Sequence, residues 1–194
     1  MLSQIVYKYL KRNPRRFKMA RKEIVEAFER HSIPTLDLFI DFQLQFGGYC
    51  PEPDEMTFGI VTPLGDDFRH DADELNDLVR VDFAVDCYVQ IGFWMDEHGL
   101  IYYDHIPVAE SFESYLRHRC YVDSVLDKNW TRITYDRRKT KKFRKLLDGQ
   151  IVNRIEDASD QYLSVKRNAG MMWVERGDHY LELFVDPTVF YSKK

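Results

Sequence analysis

Cysteines are few in this chain, and their positions exclude the sites that cysteines usually build. The sequence of 194 residues holds three, Cys50, Cys87 and Cys120, which lie far apart and form no CxxC pair. An odd number of isolated thiols argues against a disulfide framework or a zinc site. We therefore expect three free thiols in or near a core.

Long apolar runs are also missing. No window approaches the roughly 18 consecutive apolar residues of a transmembrane helix. The first residues, which read Met-Leu-Ser-Gln-Ile-Val-Tyr-Lys-Tyr-Leu-Lys-Arg, do not contain the apolar segment of a secretory signal peptide. We therefore expect a cytoplasmic protein without a membrane segment.

Motifs of known catalytic chemistry are absent as well. The sequence has no Gly-rich phosphate loop, no GxSxG elbow and no HExxH pair. His98 and His105 flank a predicted strand, but no third or fourth metal ligand accompanies them, so two solvated loop histidines are the better interpretation. His118 and Cys120 lie two positions apart and would not face each other on a helix. We expect no enzymatic activity, no metal and no cofactor.

The composition is that of a folded protein. Apolar residues make up 44% and charged residues 31% of the chain, values that are ordinary for a globular domain and wrong for a disordered one. The length is sufficient for one domain with a sizeable core. Thirteen Phe and twelve Tyr predict a core built largely from aromatic rings.

Apolar spacing predicts three helices near the start of the chain. A short one within residues 1–19 ends before Asn13-Pro14, and a second spans Arg21–His31. Residues 36–46 are ambiguous, because apolar and polar residues alternate there as in a strand. Wound as a helix, however, Asp37, Asp41 and Gln45 form one polar stripe, and Gly47-Gly48 suits a helix C-terminus. We prefer the helix.

Farther along, strand and helix patterns mix and predict an α+β fold, in which helices pack against an antiparallel β-sheet. We expect weak helical character over residues 68–79 and a basic helix over 137–147. The other predicted elements are a strand at Met56–Thr62, a hairpin of Tyr88–Met95 with Leu100–Tyr103, a helix over Val108–Cys120, and a hairpin of Gly170–Glu175 with His179–Val185.

Two segments together resemble the SUKH superfamily. Glu26–Pro34 leading to Phe42–Gly48 is similar to the family's arrangement of a helix, Leu/Ile-Pro, a second helix and Asn/Gly-Gly. Gly99–Tyr103 followed by Val108–Leu116 is similar to its strand and the subsequent Ala-x-Ser-Phe-x-x-Phe-Leu segment. The match covers roughly residues 20–120. Here Phe46 stands where the family more usually has Asn before Gly.

The resemblance implies a fold, an organisation and a class of function. It implies one SUKH-like α+β domain over residues 1–194, with 1–19 as an N-terminal extension and 123–194 as a C-terminal part that does not align. The superfamily is known chiefly for immunity proteins of bacterial toxin systems and for a eukaryotic regulator of cell-wall synthesis. It therefore implies binding to a protein partner rather than catalysis, and supplies no catalytic residues.

Charge is unevenly distributed, although the net charge is only −4. Every charged residue from Lys8 to Lys22 is basic, and Arg137–Lys145 is a second basic run. Such runs can bind nucleic-acid phosphates, or they can be solvated helix faces. The overall pI near 5.9 argues against a dedicated nucleic-acid binder, so we do not expect nucleic acid as the main partner.

Between the basic runs, residues 52–86 contain eleven acids against Arg69 and Arg80. This block is either plain surface charge or a negative patch that steers association with a basic partner, such as a nuclease toxin. The candidate partner-binding residues are Asp66, Asp67, Asp71, Asp73, Glu74 and Asp77. We expect an immunity protein that neutralises its toxin by stoichiometric binding. The alternatives are a regulatory or scaffold module of the same superfamily and a nucleic-acid-associated module.

Overall fold

Helices and antiparallel sheets together build the chain, which confirms the predicted α+β class. The computed structural model describes residues 3–50, 56–63, 72–75, 78–85, 92–126, 129–135, 153–156, 159–176 and 180–190. Residues 1–107 and 108–194 form two compact units. The prediction that the whole chain acts as one domain stays a prediction.

Three helices begin the first unit, as the apolar spacing predicts. They are α1 (Gln4–Arg12), α2 (Arg21–Arg30) and α3 (Asp37–Phe46). In α3 the predicted polar stripe of Asp37, Asp41 and Gln45 is exposed, whereas Phe39, Ile40, Phe42 and Phe46 are buried. The choice of helix over strand for this segment is therefore confirmed. In a strand Phe39 would lie on the same side as the three polar residues, whereas the helix buries it.

Two sheets are built from strands between residues 57 and 109. Strands β1 (Thr57–Phe58) and β4 (Ala84–Val85) pair with each other. The larger sheet has the order β2 (Ala72–Leu75), β3 (Leu78–Asp82), β5 (Phe93–Asp96), β6 (Ile101–Tyr103) and β7 (Ile106–Ala109). The predicted hairpin is confirmed for β5 and β6, and its residues 88–91 lie outside the described residues. The strand predicted at Met56–Thr62 is shorter, since only β1 forms there.

The helical character predicted over residues 68–79 is wrong for the described residues, and the helix predicted over Val108–Cys120 is confirmed only from Phe112 onward. Residues 72–75 and 78–82 are the strands β2 and β3, which pair antiparallel in register. Val79 and Val81 are β-branched and favour a strand, and Val81 is fully buried there. Val108 lies in β7, and the next helix begins only at Phe112, because Ser111 is its N-cap and its Oγ accepts the N–H of Ser114 at 3.2 Å.

The second unit joins helix α4 (Phe112–Leu126) to a five-stranded antiparallel sheet and the single turn α5 (Pro187–Phe190). The strand order is β8 (Thr131–Tyr135), β12 (Tyr180–Val185), β11 (Met171–Arg176), β10 (Leu163–Arg167) and β9 (Asn153–Arg154). Pairing of β11 with β12 confirms the second predicted hairpin. The helix predicted over 137–147 lies outside the described residues. The core residues are Val122, Val125, Trp130, Leu163, Val165, Met172, Val174 and Phe184.

Candidate functional site

The acidic segment belongs in part to the larger sheet of the first unit. Asp73 and Glu74 lie on β2, opposite Arg80 and Val79 of β3 in the strand register. The other four candidates, Asp66, Asp67, Asp71 and Asp77, lie outside the described residues. In the described sheet β2 is the terminal strand, with β3 beside it. The structure therefore places two predicted site residues on the end strand of an antiparallel sheet.

Arg80 attaches the strand beside β2 to the rest of the sheet. Its side chain is only 2% exposed, and its guanidinium carbon lies 4.5 Å from the centroid of the Trp94 ring. Its Nη1 donates to the carbonyl oxygen of Asp104 at 3.2 Å. In the register of β3 and β5 it stands opposite Asp96, which is equally buried. Arg80 lies within the acidic segment of the sequence, but its side chain is buried and holds β3 to the neighbouring part of the sheet.

Asp96 holds the turn between β5 and β6. One carboxylate oxygen accepts the backbone N–H groups of His98 and Leu100, both at 2.9 Å, and the other accepts the hydroxyl of Tyr102 at 3.0 Å. Gly99 has φ +88°, a conformation that glycine adopts without strain. The carboxylate therefore supports the turn with three hydrogen bonds. These bonds fix one end of the sheet to which β2 and β3 belong.

A buried glutamine, which the sequence patterns do not identify as a key residue, connects α3 to residues 60–61. Gln43 is 1% exposed. Its Oε1 accepts the N–H of Ile60 at 2.7 Å and of Val61 at 3.3 Å, and its Nε2 donates to the carbonyl of Val61 at 2.7 Å. The Gln43 amide thus makes the hydrogen bonds to residues 60–61 that a neighbouring strand would otherwise make. The available signal was that Gln43 falls outside the polar stripe of α3 once that segment is wound as a helix.

Half of the basic residues in the segment 8–22 have structural partners. Arg15 donates to the carbonyl oxygens of Gly47 at 2.9 Å and Leu44 at 2.8 Å, which closes the C-terminus of α3. The same guanidinium lies 5.0 Å from the centroid of the Tyr49 ring. Arg16 donates to the buried hydroxyl of Thr57 at 3.1 Å.

Two further cations of this segment form exposed ion pairs. Arg21 bonds both Asp37 and Asp41 of α3, and Lys22 lies 3.6 Å from Glu26 one turn along α2. Such exposed pairs contribute little stability. They nevertheless neutralise the charge locally, which weakens the case for the whole segment as one phosphate-binding surface.

The second basic run, Arg137–Lys145, lies outside the described residues. Nearby on β8, Arg132 forms an ion pair with Glu182 of β12. Glu182 is buried, so the pair compensates a carboxylate that would otherwise be costly inside the sheet. Arg132, which lies near this run in the sequence, is thus paired with a buried carboxylate.

The two loop histidines that the sequence suggested as metal ligands each lie beside a neighbouring acid. His98 and His105 are exposed, and each lies closest to an acid beside it in sequence, Glu97 at 3.9 Å and Asp104 at 3.3 Å. Among the described residues, no group of three or more His, Cys, Asp or Glu side chains is placed to hold a metal ion. In that part of the chain no helix is both long and apolar enough to span a membrane.

Cys120 is a buried thiol of α4. Burial is the main cause that raises its pKa from 9.0 to about 12, and the nearby carboxylate of Asp123 raises it further. A thiol with this pKa stays protonated at neutral pH and is a poor nucleophile.

Comparison with known proteins leaves the family open. No protein-family model matches the sequence, and neither a curated protein nor a solved structure matches it. The resemblance to the SUKH superfamily therefore rests on the segments quoted above.

Proposed function

We propose that this protein is a cytoplasmic, SUKH-like immunity protein that neutralises a cognate toxin by binding it stoichiometrically. The observation that carries the proposal is the placement of Asp73 and Glu74 on the terminal strand of an antiparallel sheet. The resemblance of residues 20–120 to the superfamily supports the same function.

The chemistry of the proposed interaction is electrostatic. A nuclease toxin has a positive substrate groove, and an acidic strand attracts such a surface before contact is made. The neighbouring strand β3 is anchored by Arg80 over Trp94, so the strand that carries the two acids pairs with a supported neighbour. A preorganised surface loses less conformational entropy when it binds.

The test begins with affinity purification from the native cell, which identifies the partner. Stopped-flow mixing of the two purified proteins then measures the association rate over a range of salt concentrations. We expect the variant Asp73→Lys/Glu74→Lys to associate at least about tenfold more slowly at low salt, with the difference shrinking as salt rises.

The matched control reverses two exposed acids elsewhere, Glu29→Lys and Glu110→Lys, and changes the net charge by the same amount. We expect this control to retain nearly all of the association rate. If the strand variant and the control behave alike, the steering role of β2 is wrong. If the purified partner is not inhibited by the protein at a 1:1 ratio, the immunity function is wrong.

A further inference from the structure

The exposed side of α1 carries three cations that the tertiary structure leaves at the surface. Lys8, Lys11 and Arg12 are exposed, and among the described residues none of them lies within 4.0 Å of a carboxylate. No acidic residue occurs before Glu23. This contrasts with Arg15, whose guanidinium closes the end of α3.

An exposed aromatic ring accompanies these cations. Tyr7 is 59% exposed, although large aromatic side chains are usually placed where they bury area. Because 3.6 residues make one helical turn, Tyr7 and Lys11 are neighbours on the surface, as are Lys8 and Arg12. We define the basic face of α1 as Tyr7, Lys8, Lys11 and Arg12.

We propose that the basic face of α1 binds single-stranded nucleic acid, with the three cations on successive phosphates and the Tyr7 ring stacked on a base. Charge complementarity to phosphate and a free ring for stacking are the two elements that sequence-tolerant single-strand binders combine. The basic face lies on a different element from the acidic strand β2, and the proposal does not depend on the immunity function.

The burial of α1 argues against an anionic membrane as the occupant. A helix that binds at a lipid surface inserts its apolar side between the head groups. The apolar side of α1, formed by Val6, Tyr9 and Leu10, is buried in the protein. Only the polar side of the helix is available to a ligand.

The test uses the full chain and a fluorescein-labelled 20-nucleotide oligouridine, with binding followed by fluorescence anisotropy. Three phosphate contacts predict a slope of log K against log salt of about −2, which is a loss of about 20-fold in affinity between 50 and 200 mM salt. The variant Lys8→Gln/Lys11→Gln/Arg12→Gln should lose most of the affinity and flatten this slope. Circular dichroism checks that the helix is kept.

The matched control removes three exposed cations elsewhere, Lys22→Gln, Arg30→Gln and Arg154→Gln. It has the same net charge as the test variant, so a loss confined to the test variant supports a local site. An equal loss in both variants, or an unchanged slope in the test variant, overturns the proposal.

The stacking contribution is tested on Tyr7 alone. Tyr7→Ala should weaken binding by about five- to 150-fold, whereas Tyr7→Phe, which keeps the ring, should bind nearly as tightly as the original protein. If Tyr7→Ala binds like the original protein, or if phosphatidylserine vesicles or polyglutamate bind as tightly as the oligonucleotide, single-stranded nucleic acid is the wrong ligand.

Discussion

Two groups of polar side chains in residues 1–107 stand in opposite environments. Gln43, Arg15 and Arg80 direct their polar atoms at backbone groups of other segments, whereas Lys8, Lys11 and Arg12 project into solvent. Arg15 and Arg12 are three residues apart in the same basic run. A run of like charge in a sequence is therefore not one surface, because each side chain's partner decides whether its charge is available.

Among the side chains that bond backbone groups of other segments, we expect the loss of the Gln43 amide to have the largest effect. Gln43→Ala removes the acceptor of the Ile60 N–H and the donor to the Val61 carbonyl, both in a buried place. Each unsatisfied group costs about 1–3 kcal/mol, so we expect the free energy of unfolding to fall by about 3 kcal/mol or more. Urea denaturation measures the change. A loss below about 1 kcal/mol would contradict the role of Gln43 as a substitute strand partner.

Arg15 and Arg12 test the comparison directly, since they are the same residue type. Arg15→Ala removes two hydrogen bonds to the end of α3 and the contact with Tyr49, and we expect a loss of about 2 kcal/mol. Arg12→Ala should change stability by less than about 0.5 kcal/mol. Thermal and urea unfolding of the two variants provide the measurement. Equal effects would remove the distinction between the two groups.

Cys120 extends the comparison to the second unit. Since burial raises its pKa above 9.0 in the folded chain, the folded state keeps the thiol proton while the unfolded state loses it as the pH rises through 9. The free energy of unfolding should therefore fall above pH 9, by at most about 1.4 kcal/mol per pH unit from this group. The variant Cys120→Ala should show a shallower decline between pH 9 and 10.5 in urea denaturation. Parallel curves would contradict the raised pKa.

Much of the fold follows from local pattern. The three N-terminal helices, the β5–β6 hairpin and the β11–β12 hairpin were predictable, since their apolar residues repeat with helical or strand spacing. The failures occurred where spacing is weak. Strands β2 and β3 are short and lie in an acidic segment, so their pairing with each other decides their conformation. Val108 fits the apolar spacing of α4, but the N-cap at Ser111 sets where that helix begins.

The candidate sites divide in the same manner. The sequence shows that Asp73 and Glu74 lie in an acidic block, but their place on a terminal strand depends on the order of strands, which local spacing does not encode. The role of Arg80 depends on Trp94, which lies on another strand. Contacts between distant segments therefore decide which charges of each block remain for a partner.

By itself, the sequence determined the α+β class, the helical period of α3 and the separation of charge into basic and acidic blocks, because these depend on residue type and spacing alone. Only the tertiary structure decided that Arg15 bonds the C-terminus of α3 and that Gln43 bonds the backbone of residues 60–61. It also decided that Lys8, Lys11 and Arg12 remain exposed. The physical reason is that hydrogen bonds and burial join residues far apart in the chain, and a charge acquires its function from what lies beside it after folding.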